Sequence, residues 1–443
     1  MLLSIPFFYF TKELIHMLKI VYPICCGLDV HKTILIATIA KTDDKNITTY
    51  ETREFTSINS SILSLKQWLL DNNCKDLCME STGKYWIPVF NLLEDSINVF
   101  LVHPKYVKAI KGKKTDKKDS KWIADLFKHD LIQASFIPPA DIRALRDICR
   151  YRYKLVNIRT GEKNRVQNCM TVSNIGIDKI LTDCFGKTGT NIMKYLIENK
   201  NGEIDNEKVK SLLIKKLKKK SDQIIESING SHIEDDQLFK LDVIYKHLDN
   251  LNDFISAIEN ELINRANKYQ TFVDLACEIP GIDTFSAIWI VAEIGTNMDV
   301  FQDAKHLTSW AGLTPTNNES AGKKHSTKIS HAGCYIKPLL IQCALCAIKV
   351  ASNKYYYNKY ISIKKRRGHK KAIIAIARMM LTAIYYMFKT GENWNPYDYE
   401  DNNFTRPKRV VLNNTNVLEY LSNLGIDTTD LTNKLNELNL TQL

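Results

Sequence analysis

Two apolar, β-rich runs, ICCGLDV (24–30) and ILIATIA (34–40), stand three residues apart, joined by the polar HKT. A third run, ITTYETREF (47–55), alternates apolar and polar residues. Runs this short, this close and this rich in β-formers predict three successive strands in a meander. That beginning commits the N-terminal region to a sheet. The signal then changes period. Residues 57–70 read as a helix with Ile62, Leu65, Trp68 and Leu69 on one face. DLCME (76–80) is a short buried strand, YWIPVFNLLED a helix broken near Pro88, and INVFLV (97–102) another strand. Strands followed by alternating helices and strands predict a mixed sheet covered by helices.

Beyond Pro104 the chain becomes basic. Residues 103–130 hold nine Lys against four Asp, with a helix predicted to start near Asp116 to Ser120. Pro138-Pro139 marks a boundary. Residues 141–170 then read as one long helix, rich in Arg and Lys. Between 206 and 269 the pattern is strongly helical, and Leu238, Leu241, Tyr245, Leu248, Leu251, Ile255, Ile258 and Leu262 form a seam of coiled-coil type. The seam fits an antiparallel hairpin within one chain or a contact between two chains, and the pattern does not choose.

IPGIDTFSAIWIVAEIG (279–295) has the layout of a helix-hairpin-helix, whose turn can offer backbone N–H groups to phosphates. A polar loop (314–333) follows, then apolar helices interrupted by KKRRGHKK (364–371), which reads most simply as a phosphate-binding stripe. The expected organisation is an N-terminal extension (1–23), a sheet domain (24–137), a helical coiled-coil region (138–270), a helical C-terminal domain (271–395) and a polar tail (396–443) ending in a short amphipathic helix.

Composition narrows the partners. The 443 residues include 61 Lys+Arg against 49 Asp+Glu, a net charge of +12 that favours an anionic partner, most simply nucleic acid. With 44% hydrophobic and 25% charged residues, the chain is not a disordered one. The longest apolar stretches, such as Leu339 to Val350, are expected to fall short of the ~20 residues that span a bilayer. No basic segment precedes the apolar start of the chain, which reads poorly as a signal peptide. Eleven scattered cysteines suit reduced thiols and a cytoplasmic location. His331, Cys334, Cys343 and Cys346 have zinc-like spacing, but the last two sit in an apolar run, where buried thiols are the commoner case.

Four acids stand where metal chemistry would want them. Asp29 closes the first strand and Glu80 a later one, while Asp116 and Asp119 share one face at a helix start. If the first and fourth strands are neighbours, Asp29 and Glu80 emerge together, and the helix carrying the other two can cross that edge. Carboxylate oxygens are hard ligands suited to two Mg²⁺ ions in phosphodiester chemistry. Lys113, Lys114, Lys117, Lys118 and Lys121 flank the helical pair and could hold a nucleic-acid backbone.

GLDVHK around Asp29, MESTGKYW around Glu80 and KTDKKDSKWIADL around Asp116 and Asp119 resemble the RuvC-like DEDD transposases of the IS-one-ten and IS-eleven-eleven insertion sequences, relatives of the pilin-gene invertases. IPGIDTFSAIWIVAEIG and WAGLTPTNNESAGKKHSTKISHAG are similar to that family's C-terminal domain, and together the motifs span roughly Ile24 to Lys389. The resemblance implies an RNase H-like (RuvC-like) sheet domain, Mg²⁺ held by Asp29, Glu80, Asp116 and Asp119, and a serine nucleophile in the polar loop. Ser320 holds the matching position, with Ser326 and Ser330 in the same loop; the family's Ser-Gly pair is here Ser320-Ala321-Gly322. Lys323 and Lys324 suit phosphate contacts. The resemblance also implies donor and target DNA, a structured non-coding guide RNA and a homo-oligomer (dimer or tetramer) as partners. Arg143, Arg146 and Arg150, with the rest of the basic helix, are the expected nucleic-acid surface. Two alternatives remain at this point: a junction endonuclease using water, and a non-catalytic DNA- or RNA-binding descendant.

Overall fold

In the computed structural model, Ile24–Val30 (β1), Ile34–Thr42 (β2), Thr48–Thr56 (β3), Asp76–Glu80 (β4) and Asn98–Val102 (β5) form one sheet in the order β3-β2-β1-β4-β5. The residues described are 19–402, apart from 81–82, 108–115, 133, 200–201, 316–317, 321–322 and 327, together with 427 and 429. The expected extension over 1–16 and most of the tail lie outside them. β1 pairs antiparallel with β2, and β2 with β3; β1 and β4, and β4 and β5, are parallel. This is the RNase H-like arrangement, a meander extended by two parallel strands.

β1 lies at the centre and is covered on both sides, which accounts for its unbroken apolar run. Cys26, Leu28 and Val30 pack with helices Asn59–Asp71 (α1) and Trp86–Leu93 (α2). Cys25 faces the other way, with Cys78, towards Ile123, Ala124 and Phe127 of Asp116–Lys128 (α3). Pro88 does not break α2: it sits in the first turn, where its missing N–H has no intrahelical partner to lose. β3 is one edge of the sheet and carries Glu51, Arg53 and Glu54, charges that discourage pairing with another strand.

The described residues fall into two compact units, one within Met1–Asp274 and Thr284–Asp303, the other within Leu275–Asp283 and Ala304–Leu443. In the first, the sheet is followed by Ala140–Val172 (α4), Lys187–Asn199 (α5), Ser221–Ile228 (α6), Asp235–Ala266 (α7) and Thr284–Ile294 (α8). α4 and α7 run antiparallel. Arg152 pairs with Glu259, Arg159 donates to Asn252 at 3.0 Å, and Glu162 meets His247 at 3.0 Å. Leu251 and Ile255 pack on Leu155 beneath these contacts. The seam on α7 is therefore closed inside the chain by α4. At the far end of the pair, Ile192, Ile224 and Ile228 join Val166, Leu241 and Leu248 in a separate core.

The second unit contains Ala304–Trp310 (α9), a hairpin of Asn318–Ser320 (β6) and Lys323–Ser326 (β7), and Ile336–Ala347 (α10), Tyr355–Arg367 (α11) and His369–Thr390 (α12). Gly281, at φ +90°, lies so close to α10 that an added Cβ would stand 2.4 Å from the Ala347 nitrogen. The Pro280-Gly281 turn is thus seated on a helix backbone. Among the described residues one helix, α12, is long and apolar enough to cross a membrane, contrary to the expectation from sequence. Its apolar side, with Ile376, Met380, Leu381 and Ile384, is buried in the unit's core.

Candidate active site

β1 and β4 run in parallel register, with Leu28 beside Met79. Asp29 and Glu80 follow one residue later on the two strands, so both project on the face covered by α3. Asp29 is buried at 7% exposure and Glu80 is half-buried. Two carboxylates thus leave neighbouring strands at the same end and on the same side.

The position of α3 follows from Gly27. A Cβ built there would lie 2.2 Å from the Ser120 carbonyl oxygen and 2.4 Å from the Ala124 nitrogen. Only a residue without a side chain lets the helix backbone come down this far. Two hydroxyls then fix the helix laterally: Ser120 Oγ lies 2.7 Å from Thr38 Oγ1, which also meets Thr52 Oγ1 at 2.9 Å. One strand pitch back, the Cys25 thiol reaches the Ala124 carbonyl at 3.7 Å. The helix therefore advances towards its own N-terminus as β1 advances towards Asp29. Its first turn, with positions 116 and 119, thus lies in the direction of the strand end that carries Asp29.

Asp119 is described and half-buried. Asp116 opens α3, and its side chain lies outside the described residues. Among the described residues no three His, Cys, Asp or Glu side chains group closely enough to hold an ion. The donors present are nonetheless of the right kind, since carboxylate oxygens are what Mg²⁺ and similar hard cations take. Cys25 and Cys78, four residues before Asp29 and two before Glu80 on the same face, do not compete. Burial pushes both thiols up, Cys25 to about 12, so they stay protonated. His31 is an addition that the sequence reading missed: its Nε2 lies 3.2 Å from Asp29 Oδ2. The HK that follows GLDV was the available signal.

Of the cations expected to hold nucleic acid, Lys113 and Lys114 lie outside the described residues, as do the side chains of Lys117, Lys323 and Lys324. Lys118 is exposed, and Lys121 Nζ stands 3.9 Å over the Tyr50 ring. The three expected arginines on α4, Arg143, Arg146 and Arg150, are engaged inside the chain instead. Arg143 forks onto Glu94 at 2.5 and 3.0 Å. Arg146 donates to the carbonyls of Ala292 and Glu293 at 2.9 and 2.7 Å, and Arg150 grips the Glu293 carboxylate at 2.8 and 2.7 Å. Bidentate pairing to a buried acid makes Arg150 an anchor between α4 and α8 rather than part of a free basic surface.

Ser320 ends β6 and pairs with Lys323 of β7, so it sits beside the turn of a hairpin; its side chain is outside the described residues. It belongs to the second unit, the four acids to the first. Ser326 ends β7, and Ser330 is half-buried with its carbonyl accepting from Lys337 at 2.7 Å. His331 and Cys334 are exposed, Cys343 is buried on α10 and Cys346 is exposed.

A family profile described as a transposase of the DEDD, IS110 type matches residues 26–175, and one described as the IS116/IS110/IS902 transposase family matches residues 273–360. The pilin gene-inverting proteins of Moraxella bovis and Moraxella lacunata are each 29% identical over 154 residues, 33% of this chain and 46% of theirs. The chain thus spans about half the length of the curated relatives it matches. Among solved structures, the fowlpox virus resolvase with its substrate Holliday junction DNA matches 24% of this chain and 82% of its own, at 16% identity. Its TM-score of 0.17 is too low to bear on the site. With both transposase profiles in order along it, covering more than half its length between them, the chain belongs to the IS116/IS110/IS902 family of transposases.

Proposed function

We propose that the protein is a recombinase that cleaves and rejoins DNA strands at specific sites, with Ser320 as nucleophile and Asp29, Glu80, Asp116 and Asp119 as ligands of Mg²⁺. The observation that supports this reading is the packing around Gly27: two strand-end carboxylates in register on the face that α3 covers, with the helix backbone close over β1. When bound, two Mg²⁺ ions would polarise the scissile phosphate and stabilise both the attacking and the departing oxygen.

The chain's own residues do the rest. Asp29, held in a buried position, and Glu80 supply fixed negative charge at the strand ends, and Asp116 and Asp119 complete the set from the helix. The Ser320 hydroxyl attacks the phosphorus, a phosphoserine bond forms as one DNA strand bond breaks, and the energy of that bond is kept for rejoining. Lys323, whose backbone pairs with Ser320 in the hairpin, and Lys324 would supply countercharge to a phosphate near the nucleophile. A structured non-coding RNA would choose donor and target by base pairing, and the protein would hold it through backbone and shape. A homo-oligomer, as dimer or tetramer, would supply one such site per exchanged strand.

The test is to trap the reaction on DNA carrying the element's junction, with the co-purified RNA sequenced and checked for pairing to that DNA. A covalent adduct mapped to Ser320 is expected, lost in Ser320→Ala and in Asp29→Asn. A Ser320→Ala protein that breaks and joins strands at the wild-type rate would overturn the serine mechanism in favour of attack by water. Full strand cleavage by Asp29→Asn would overturn the metal site.

A further inference from the structure

The second unit contains a cleft of about 1430 Å³ that the proposed chemistry does not use. Its floor is one face of α12: Lys371, Ile374, Arg378, Thr382 and Tyr386 recur at three and four residues along the exposed side. The opposite wall is Asn393–Tyr397, held in place where Trp394 stacks on Tyr356 at 5.8 Å and meets Tyr355 edge-on at 5.6 Å. The basic run 364–371 opens onto one end, broken at Gly368, where α11 ends and α12 begins.

Two properties of this cleft point to one kind of ligand. Its charge is one-sided: among the described lining residues, Lys328, Arg367, Lys370, Lys371 and Arg378 face a single carboxylate, Glu392. Arg367, Lys370, Lys371 and Arg378 are exposed, and none pairs with an acid among the described residues. Lys370 and Lys371 also sit in the first turn of α12, which has no acid, where the helix dipole disfavours cations. Cations crowded against each other and against a dipole are held at a cost that a bound polyanion would remove. The second property is aromatic exposure. Tyr386 is 55% exposed and Tyr397 fully so, and both line the cleft together with half-buried apolar ground at Ile374, Ala375 and Met379. Cations interleaved with exposed ring faces match a strand whose phosphates and unstacked bases are both available. A duplex hides its base faces, and an acidic peptide has none.

We propose that this cleft binds an unpaired nucleic-acid strand, with phosphates on Arg367, Lys370, Lys371 and Arg378 and bases stacked on Tyr386 and Tyr397. From Lys370 to Tyr386 the helix extends roughly 24 Å, enough for a few nucleotides. The site lies outside the four acids and Ser320, and it stands or falls without the recombinase reading.

The test uses the full-length protein and fluorescein-labelled dT12 and U12, followed by anisotropy between 50 and 200 mM KCl. The double variant Lys371→Ala/Arg378→Ala is expected to bind about tenfold more weakly and to lower the salt slope by roughly 1.4, at about 0.7 per phosphate contact. Tyr386→Leu is expected to weaken binding about tenfold with the salt slope unchanged, and Tyr386→Phe to keep wild-type affinity. A preference between dT12 and U12 assigns the strand as DNA or RNA. Because the chain carries 61 Lys+Arg in all, the same oligonucleotides carrying 5-iodouracil are photo-crosslinked and mapped by mass spectrometry to locate the bound strand. Crosslinks at Tyr386, Trp394 or Tyr397 support the site. Crosslinks only elsewhere, equal sensitivity of a 12-bp duplex to Tyr386→Leu, or full displacement of the probe by poly-glutamate at equal charge would overturn it.

Discussion

Replacing Gly27 with alanine would put one methyl group into the contact that sets the position of α3. The new carbon would begin 2.2 Å from the Ser120 carbonyl oxygen and 2.4 Å from the Ala124 nitrogen, both backbone atoms. An ordinary carbon–oxygen contact is about 3.3 Å or more, so the helix would have to recede by about 1 Å, since no side-chain rotation can relieve the overlap. Two costs follow. Overpacking in a closed core destabilises by about 1–3 kcal/mol, and the 2.7 Å bond from Ser120 to Thr38 would be stretched as well. The second cost is functional, because the part of α3 that moves carries positions 116 and 119. A misplacement of about 1 Å in a catalytic set can lower the rate about 100-fold. The experiment compares urea denaturation and strand cleavage for Gly27→Ala and for Gly161→Ala in α4, a half-buried position where the nearest atom would be the Arg165 side chain at 3.7 Å. The expected result is loss of both stability and cleavage at position 27 and neither at 161. A Gly27→Ala protein with wild-type midpoint and wild-type cleavage would refute the claim that close helix packing positions the acids.

Glu293 is 2% exposed and holds Arg150 at 2.7 Å, so Glu293→Ala leaves two arginines of α4 without their acid and is expected to cost about 3–5 kcal/mol, read by denaturant midpoint; Glu293→Gln should cost less. Arg146 strengthens that expectation, because burial already draws its guanidinium down to about 10 while Glu293 holds it up. The pH dependence has a definite sign at Asp141, whose carboxyl is lowered to about 2 by hydrogen bonds from Lys268 and Tyr269. A depressed carboxyl stabilises the fold above its unfolded value near 3.9, and the contribution is lost as pH falls through about 2. Asp141→Asn should therefore be slightly less stable than wild type at pH 6, by less than about 1 kcal/mol for so exposed a pair, with the gap closing below pH 4 in thermal melts.

The parts of this fold that were legible in sequence are those where one residue pattern dictates one environment. β1 and β2 are buried on both faces and therefore read as apolar runs, and α1 buries Ile62, Leu65, Trp68 and Leu69, the four positions its period indicated. The pairing of β1 with β4 that brings Asp29 beside Glu80 was a condition in the sequence and is met by the parallel register. What could not be read depends on partners far along the chain. Arg143 and Arg150 look like a basic stripe until Glu94 and Glu293 arrive from 49 and 143 residues away. The α7 seam was open to two readings because an apolar stripe does not say whose helix covers it. β6 and β7 have no apolar alternation, so the polar loop gave no warning of a hairpin. Gly27 was visible as a glycine, but only the approach of α3 shows why the position admits nothing larger.

The antiparallel pairing of α4 and α7 also has a geometric consequence. A rod of 33 residues is roughly 50 Å long, and it carries the helical core of Ile192 and Ile224 at the end opposite Asp141. Because the two helices are locked along their length, the rod acts as a ruler. Cutting seven residues from each would keep its faces nearly in phase and bring the far core about 10 Å nearer. Cutting five would turn that core by about 140° and aim it at different neighbours.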